Sequence, residues 1–212
     1  MSKFLRVVCI SDTHELHREL DVPDGDLLIH AGDFTMFSKS AAAIRDFNTW
    51  LGELPHAHKV ICPGNHEFFL ESDRSNRSLI SNATVLINEG IEVMGLKIWG
   101  SPTTSLYGGA FGLSSEVDRR DLYRQIPEGT HILITHGPPL GILDCVPGSP
   151  RGAGCEELLH TVKRLQPLLH VYGHVHGAYG LSSDGDTLSV NAALLGRNGN
   201  LEERPVTLQM RL

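Results

Sequence analysis

Cysteine is scarce in this chain of 212 residues. Cys9, Cys62, Cys145 and Cys155 are scattered without any Cys-x-x-Cys spacing, so neither a thiolate zinc site nor a disulfide framework is indicated. They are expected to be reduced and mostly buried. Long hydrophobic runs are also missing: stretches such as Ile132 to Ile134 or Leu168 to Tyr172 fall far short of the roughly 20 residues of a membrane span. The opening Met1-Ser2-Lys3 carries no apolar signal-peptide region, so a cytoplasmic protein with no membrane partner is the expectation. Positive charge is in short supply as well. Lys and Arg number 18 against 25 Asp and Glu, a net charge of −7, which argues against the basic footprint of a stable nucleic-acid partner. A phosphate-bearing ligand must then be attracted by something other than net charge.

What is present is an ordinary globular composition, 41% hydrophobic and 20% charged, with no repeat, low-complexity tract or linker. The whole chain, residues 1–212, is expected to form a single domain. Twelve histidines stand out, most beside Gly, Asp or Asn rather than inside apolar runs. Phe4 to Ile10 reads as a buried strand, too short for a helix, and it ends at Ser11-Asp12-Thr13-His14. Leu27 to His30 ends at Ala31-Gly32-Asp33, and Lys59 to Cys62 ends at Pro63-Gly64-Asn65-His66-Glu67. His131 to Thr135 runs into His136-Gly137-Pro138-Pro139, and His170 to Tyr172 into Gly173-His174-Val175-His176. Each strand delivers residue types that bind metals or move protons.

Between these strands, Ser40 to Leu54 has helical spacing with Ile44, Phe47, Trp50, Leu51 and Leu54 on one face. Further helices are expected at Asp73 to Ile80, Glu116 to Gln125 and Cys155 to Leu165. Strands are expected at Val85 to Ile87 and at Ile91 to Trp99, the latter broken near Gly95. Ala178 to Ser182, Thr187 to Asn191 and Val206 to Met210 read as antiparallel strands joined by Asp-Gly and Asn-Gly turns. The pattern predicts an α/β fold with two packed mixed β-sheets flanked by helices. Ligands in such sheets sit beyond the carboxyl ends of strands, where every cluster falls.

The ordered set Asp12-Thr13-His14, Gly32-Asp33, Gly64-Asn65-His66-Glu67, His136 and Gly173-His174-Val175-His176 resembles the calcineurin-like metallophosphoesterase family. That family's pattern is Asp-x-His, Gly-Asp, Gly-Asn-His-Glu or Asp, His, and Gly-His-x-His. The segments His136 to Gly141 and Gly173 to Gly180 are similar to its small MPPED-like branch. The resemblance implies a four-layer α/β/β/α sandwich and two divalent ions, with Mn²⁺ the first expectation and Fe or Zn left open by the ligand types. It implies that Asp12, His14 and His176 hold one ion, that Asn65, His136 and His174 hold the other, and that Asp33 bridges both. Water activated between the ions would attack phosphorus in line with the leaving group. His66 would assist as a proton donor, and Asn65 and His66 would also face the substrate.

The chain departs from the family's protein phosphatases, which carry Gly-Asp-x-x-Asp-Arg-Gly where this sequence reads Gly32-Asp33-Phe34-Thr35-Met36-Phe37-Ser38. The second Asp and the Arg are missing, which leaves His66 without an assigned partner. No Arg flanks the metal motifs; Arg74, Arg77 and Arg151 are the nearest. Small phosphodiesters, cyclic or other nucleotides among them, are therefore expected as substrates. A phosphomonoesterase, a metal-dependent nuclease and a nucleotide-binding regulator with weak turnover are the alternatives. Specificity is assigned to the loops Phe34 to Ser38, Phe68 to Asn76 and Pro138 to Gly154. Glu67 is expected to orient the loop or a neighbouring ligand. His17, His56, His58, His131, His160 and His170 are read as surface or half-buried polar groups, and His30 as a structural residue pointing away from the cleft.

Overall fold

The computed structural model describes residues 4–37, 40–105, 109–145, 148 and 152–211. In chain order the elements are β1 (Phe4–Ile10), β2 (Leu27–His30), α1 (Ala41–Glu53), β3 (His58–Ile61), α2 (Phe68–Ser72), β4 (Thr84–Val85), β5 (Glu89–Val93) and β6 (Leu96–Ser101). They continue with α3 (Glu116–Arg124), β7 (Ile132–Thr135), α4 (Glu156–Leu165), β8 (Leu169–Tyr172), β9 (Gly180–Asp184), β10 (Thr187–Asn191) and β11 (Val206–Arg211). One sheet has the order β11-β1-β2-β3-β4 and the other β5-β6-β7-β8-β10-β9. Both are mixed sheets whose central strands run parallel.

Alternation along the strands builds the layers. In the first sheet Val7, Cys9, Leu27, Ile29 and Val60 face the second sheet and pack with its Ile98, Ile132, Ile134, Val171 and Val190. The intervening residues Val8, Ile10, Leu28 and Ile61 face outward and bury Ile44, Phe47, Trp50 and Leu51 of α1. On the far side, Leu133 packs with Tyr123 of α3 and with Leu158, Val162 and Leu165 of α4. The result is the expected arrangement of two sheets between helical layers. A one-residue slip of any central strand would exchange these two apolar faces, so the register is tightly specified. That register pairs Ile10 with His30 and His30 with Ile61 in one sheet, and Ser101 with Thr135 in the other. The loops that follow these strands therefore leave their sheets side by side.

Two expectations need correction. The segment Phe68–Ser72, expected as loop, is a short helix, too brief for its periodicity to register in sequence. The last three strands do not form one antiparallel unit. β9 and β10 are an antiparallel pair around Gly185, whose left-handed φ of 61° suits the turn. However, β10 also pairs parallel with β8, and β11 crosses to the first sheet to lie antiparallel to β1, with Val7 opposite Leu208. The Asn198-Gly199 turn joins only an isolated bridge between Leu195 and Leu201. Turn chemistry fixes the local hairpin, but it cannot choose a partner strand far away in the chain.

Candidate metal centre

The loops after β1 and β2 are zipped together. Asp12 N–H donates to the Gly32 carbonyl at 2.9 Å, His14 N–H to Asp33 at 3.0 Å and Glu15 N–H to Phe34 at 3.1 Å. This ladder prolongs the strand pairing past the sheet edge and holds Asp12, His14 and Asp33 almost wholly buried. The backbone is strained to do so: Asp12, His14, Asp33 and His174 have φ of 54°, 39°, 55° and 67°, the left-handed region that non-glycine residues seldom enter. Such strain persists only where neighbouring interactions over-determine it. Close packing sets the glycines beside them. A Cβ on Gly64 would collide with Asp33 Oδ1, and one on Gly173 with Asp12 Oδ2.

Donor atoms from both sheets converge here. Three groups each bring one ligand atom per residue within 4.8 Å of the others: Asp12, His14 and His176; His14, Asp33 and His66; and Asp33, His136 and His174. His14 Nε2 faces His176 Nε2 at 3.3 Å, and His176 Nε2 lies 3.2 Å from Asp12 Oδ1. His136 Nε2 lies 2.9 Å from Asn65 Oδ1 and 3.1 Å from Asp33 Oδ2. The two oxygens of Asp33 are divided. Oδ1 accepts the His66 backbone N–H at 2.9 Å, while Oδ2 faces His136, His66 at 3.7 Å and His14 at 3.8 Å. All seven expected ligands and His66 thus meet in one place, with Asp33 shared between groups.

The far sides of the imidazoles show what these atoms offer. His136 Nδ1 lies 2.9 Å from the Ala31 carbonyl, and His14 Nδ1 lies 3.3 Å from the Thr35 carbonyl. A carbonyl only accepts, so Nδ1 carries a proton in both rings and Nε2 is left to the cleft. A neutral His136 would then aim a lone pair at two oxygens. A cation between them, or a second proton on the ring, relieves the contact with Asp33 Oδ2. The fit to divalent ions is therefore good, since metal-binding histidines commonly give their other N–H to a carbonyl. The electrostatics of the cluster agree. Burial opposes charge on His136, but Asp33 and Asp12 hold its proton up to about 10. Burial likewise opposes the acids, yet Asp12, bonded to His176, and Asp33, beside His136, are both held below the usual carboxylate range. Burial pushes His66 down, with Asp33 partly offsetting it, and pushes His174 down to about 4.

Glu67 orients the loops, as expected. Its buried carboxylate accepts N–H bonds from Gly64 at 2.6 Å, Thr35 at 2.9 Å and Asp33 at 3.0 Å. Burial and the nearby Asp33 push its pKa up to about 7. His30 ties two loops together: Gly32 N–H donates to its Nδ1 at 3.2 Å, so its Nε2 carries the proton and meets Thr13 Oγ1 at 3.1 Å. His170 plays a parallel part in the other sheet, with Nε2 2.9 Å from Thr135 Oγ1, one residue before His136. The reading of His17, His56 and His170 as surface or half-buried groups is corrected: they are 1%, 2% and 0% exposed. Each lies against packed elements that a single polar residue in sequence does not reveal.

Above these atoms opens a cleft of about 560 Å³, lined by His14, Asp33, Asn65, His66, His174 and His176 together with Met36, Phe37, Phe68, Gly109, Leu195, Arg197 and Gly199. Two of the three loops assigned to specificity contribute to this rim. No described residue of 138–154 does so, and Arg151 lies outside the described residues. Arg77 is paired with Glu89 away from the cleft, and Arg74 is not part of its lining. Sequence reasoning missed Arg197. It sits at a hairpin tip with no strand-end motif beside it, and only its Asn198-Gly199 turn gave any signal. In this chain His66 meets an aromatic ring. Phe37 stacks on His66 with centroids 3.6 Å apart and planes at 23°, and His66 Nδ1 is buried with no hydrogen-bond partner among the described residues.

The chain as a whole, with this cluster at the carboxyl ends of its two sheets, has relatives among known proteins. The calcineurin-like phosphoesterase model matches residues 5–178, a span that includes every candidate ligand. The chain belongs to the calcineurin-like phosphoesterase family. It is 38% identical over 233 residues to human metallophosphoesterase domain-containing protein 1, covering 98% of this chain and 71% of that protein. It is 41% identical over 212 residues to UPF0046 protein C25E10.12 of Caenorhabditis elegans, covering 90% of this chain and 75% of that protein. The similarity to the MPPED-like branch is thereby borne out. Among solved structures, TT1561 of Thermus thermophilus superposes with a TM-score of 0.57 at 14% identity over 89% of each chain, a likeness of fold. The family places this chain among metal-using phosphoric ester hydrolases. No helix among the described residues is long and apolar enough to cross a membrane.

Proposed function

We propose that the chain, acting as one domain of residues 1–212, is a dinuclear phosphodiesterase of small esters, with nucleotides the substrate class and Mn²⁺ the metal in a cytoplasmic setting. The observation that carries this reading is Asp33, whose Oδ2 lies among His14, His66 and His136, and so beside a residue of each proposed ligand set, His14 of the first and His136 of the second. Asp12, His14 and His176 would hold one ion, and Asn65, His136 and His174 the other, with Asp33 common to both. Bound there, two divalent ions supply positive charge for the phosphate oxygens and lower the pKa of a water to near neutrality. The chain's own residues do the rest. Asp33 keeps its position because Oδ1 is pinned by the His66 N–H. Asn65 and His66 line the cleft, and His66 is the residue assigned to give a proton to the departing oxygen.

A second reading, phosphomonoester hydrolysis, is favoured by Arg197 in the cleft lining, since a guanidinium suits the extra charge of a monoester dianion. The deciding measurement is hydrolysis of bis(p-nitrophenyl) phosphate beside p-nitrophenyl phosphate, using metal-stripped protein with Mn²⁺ restored and Asp33→Asn as control. Mn²⁺-dependent cleavage that favours the diester and vanishes in Asp33→Asn is expected. Preference for the monoester would establish the second reading, and undiminished activity in Asp33→Asn would overturn both.

A further inference from the structure

The segment after β2 treats its two phenylalanines in opposite ways. Phe34 is fully buried and stacks on Phe47 of α1 with centroids 4.2 Å apart. Phe37, three residues on, is 55% exposed, and its neighbour Met36 is 50% exposed. Both line the cleft above the metal ligands. Isolated exposed apolar residues are common, but two adjacent ones at the mouth of a polar site are not explained by packing. The backbone makes the placement a costly one: Phe37 has φ of 53°, a left-handed conformation that a bulky aromatic residue rarely adopts. The turn is held by the Met36 N–H, which donates to Glu15 Oε1 at 2.9 Å. One face of the Phe37 ring is occupied by His66, in near-parallel contact, and Phe68 stands 6.4 Å away at 33°. The exposure of Phe37 leaves an apolar surface open beside a site for phosphate.

We infer that Phe37, backed by His66 and flanked by Met36 and Phe68, is a stacking platform for a planar heteroaromatic ring carried by the phosphate ester, such as a nucleobase. This deepens the phosphoesterase reading and rests on it for the position of the phosphate. The chemistry fits the lining of the cleft. A nucleotide pairs a flat apolar ring with an anion, and the cleft offers exposed aromatic surface at Phe37 and a guanidinium at Arg197. Stacking on an aromatic side chain tolerates any base because every base has a π-face, so the platform selects for a base without selecting which one.

The test is equilibrium binding to Mn²⁺-loaded protein, measured by calorimetry with the phosphonate analogues of AMP and of ribose 5-phosphate, whose P–C bond resists hydrolysis. The two ligands differ only in the base. The AMP analogue is expected to bind about tenfold more tightly to the unaltered chain. That gap should close in Phe37→Ala and survive in Phe37→Trp, while Arg197→Ala weakens both ligands by a similar factor. Equal affinities in the unaltered chain, or a gap that persists in Phe37→Ala, would overturn the platform. The two proposals fail separately: a base-dependent gap without diester hydrolysis would sink the phosphodiesterase and keep the platform. Hydrolysis without a gap would do the reverse.

Discussion

The floor and the rim of the cleft are built by different rules. On the floor Asp12, Asp33 and His136 are 0%, 2% and 0% exposed, and backbone bonds, the Glu67 carboxylate and the outer nitrogens of the rings fix the donor atoms. On the rim Met36, Phe37 and Arg197 are exposed, and few hydrogen bonds define them. The contrast separates two tasks. Donor atoms around small ions must be placed before binding, because a misplaced charge in a buried site is expensive. Recognition of the rest of an ester needs only surface of the right character, and an exposed ring or guanidinium supplies it.

The sharpest way to break this comparison is to alter a floor residue that the proposed mechanism uses for proton transfer rather than for holding metal. His66→Ala should keep its metal content by elemental analysis yet slow turnover roughly 10²–10⁴-fold. The loss should be greatest for poor leaving groups in a series of aryl diesters. An equal loss across the series would remove His66 from that role. A smaller effect is expected one layer further out. Glu67→Gln keeps the shape but replaces one N–H acceptor by a donor facing the backbone N–H groups of Gly64, Thr35 and Asp33. Metal affinity in a chelator competition should fall about 10–100-fold. An unchanged affinity would mean that the loop keeps its form without that carboxylate.

A further effect concerns stability and sets the floor's supports against acid. Burial pushes His170 down to about 3 from an ordinary 6.5. The unfolded chain therefore binds a proton below about pH 6.5 that the folded chain refuses until about pH 3. Between those limits the unfolded state holds more protons, so stability is full above the window and is lost as pH falls through it. The slope from this one group is about 1.4 kcal/mol per pH unit. In His170→Gln, which keeps a polar partner for Thr135, denaturant midpoints measured from pH 7 to pH 4 should fall less steeply. A slope identical to that of the unaltered chain would show that His170 opens to water before it charges.

Much of the floor was legible in the sequence because each donor follows a short apolar strand. Parallel strands in register release their next residues at a common edge, so the clusters at Asp12, Asp33, Asn65, His136, His174 and His176 are expected in one cleft, while their division into two ligand sets rests on the resemblance to the family. The expectation that Glu67 orients the loop agrees with its bonds to the Gly64, Thr35 and Asp33 N–H groups. The rim was far less legible. The loop Phe34 to Ser38 was marked for specificity, but nothing in its spacing distinguished buried Phe34 from exposed Phe37. Arg197 follows no strand of the predicted set, and the buried state of His17, His56 and His170 depends on what packs over them.

By itself, then, the sequence determined the alternation of strands and helices, the two apolar faces of each sheet and the order of candidate ligands at the strand ends. These are properties of nearest neighbours and of fixed periods along the chain. Only the tertiary structure decided that β11 joins the first sheet beside β1, that Phe37 covers His66, and that Arg197 reaches the cleft. Those features depend on contacts between segments far apart in sequence. They are fixed by shape, burial and backbone hydrogen bonding once the sheets have closed on one another, and no local pattern encodes them.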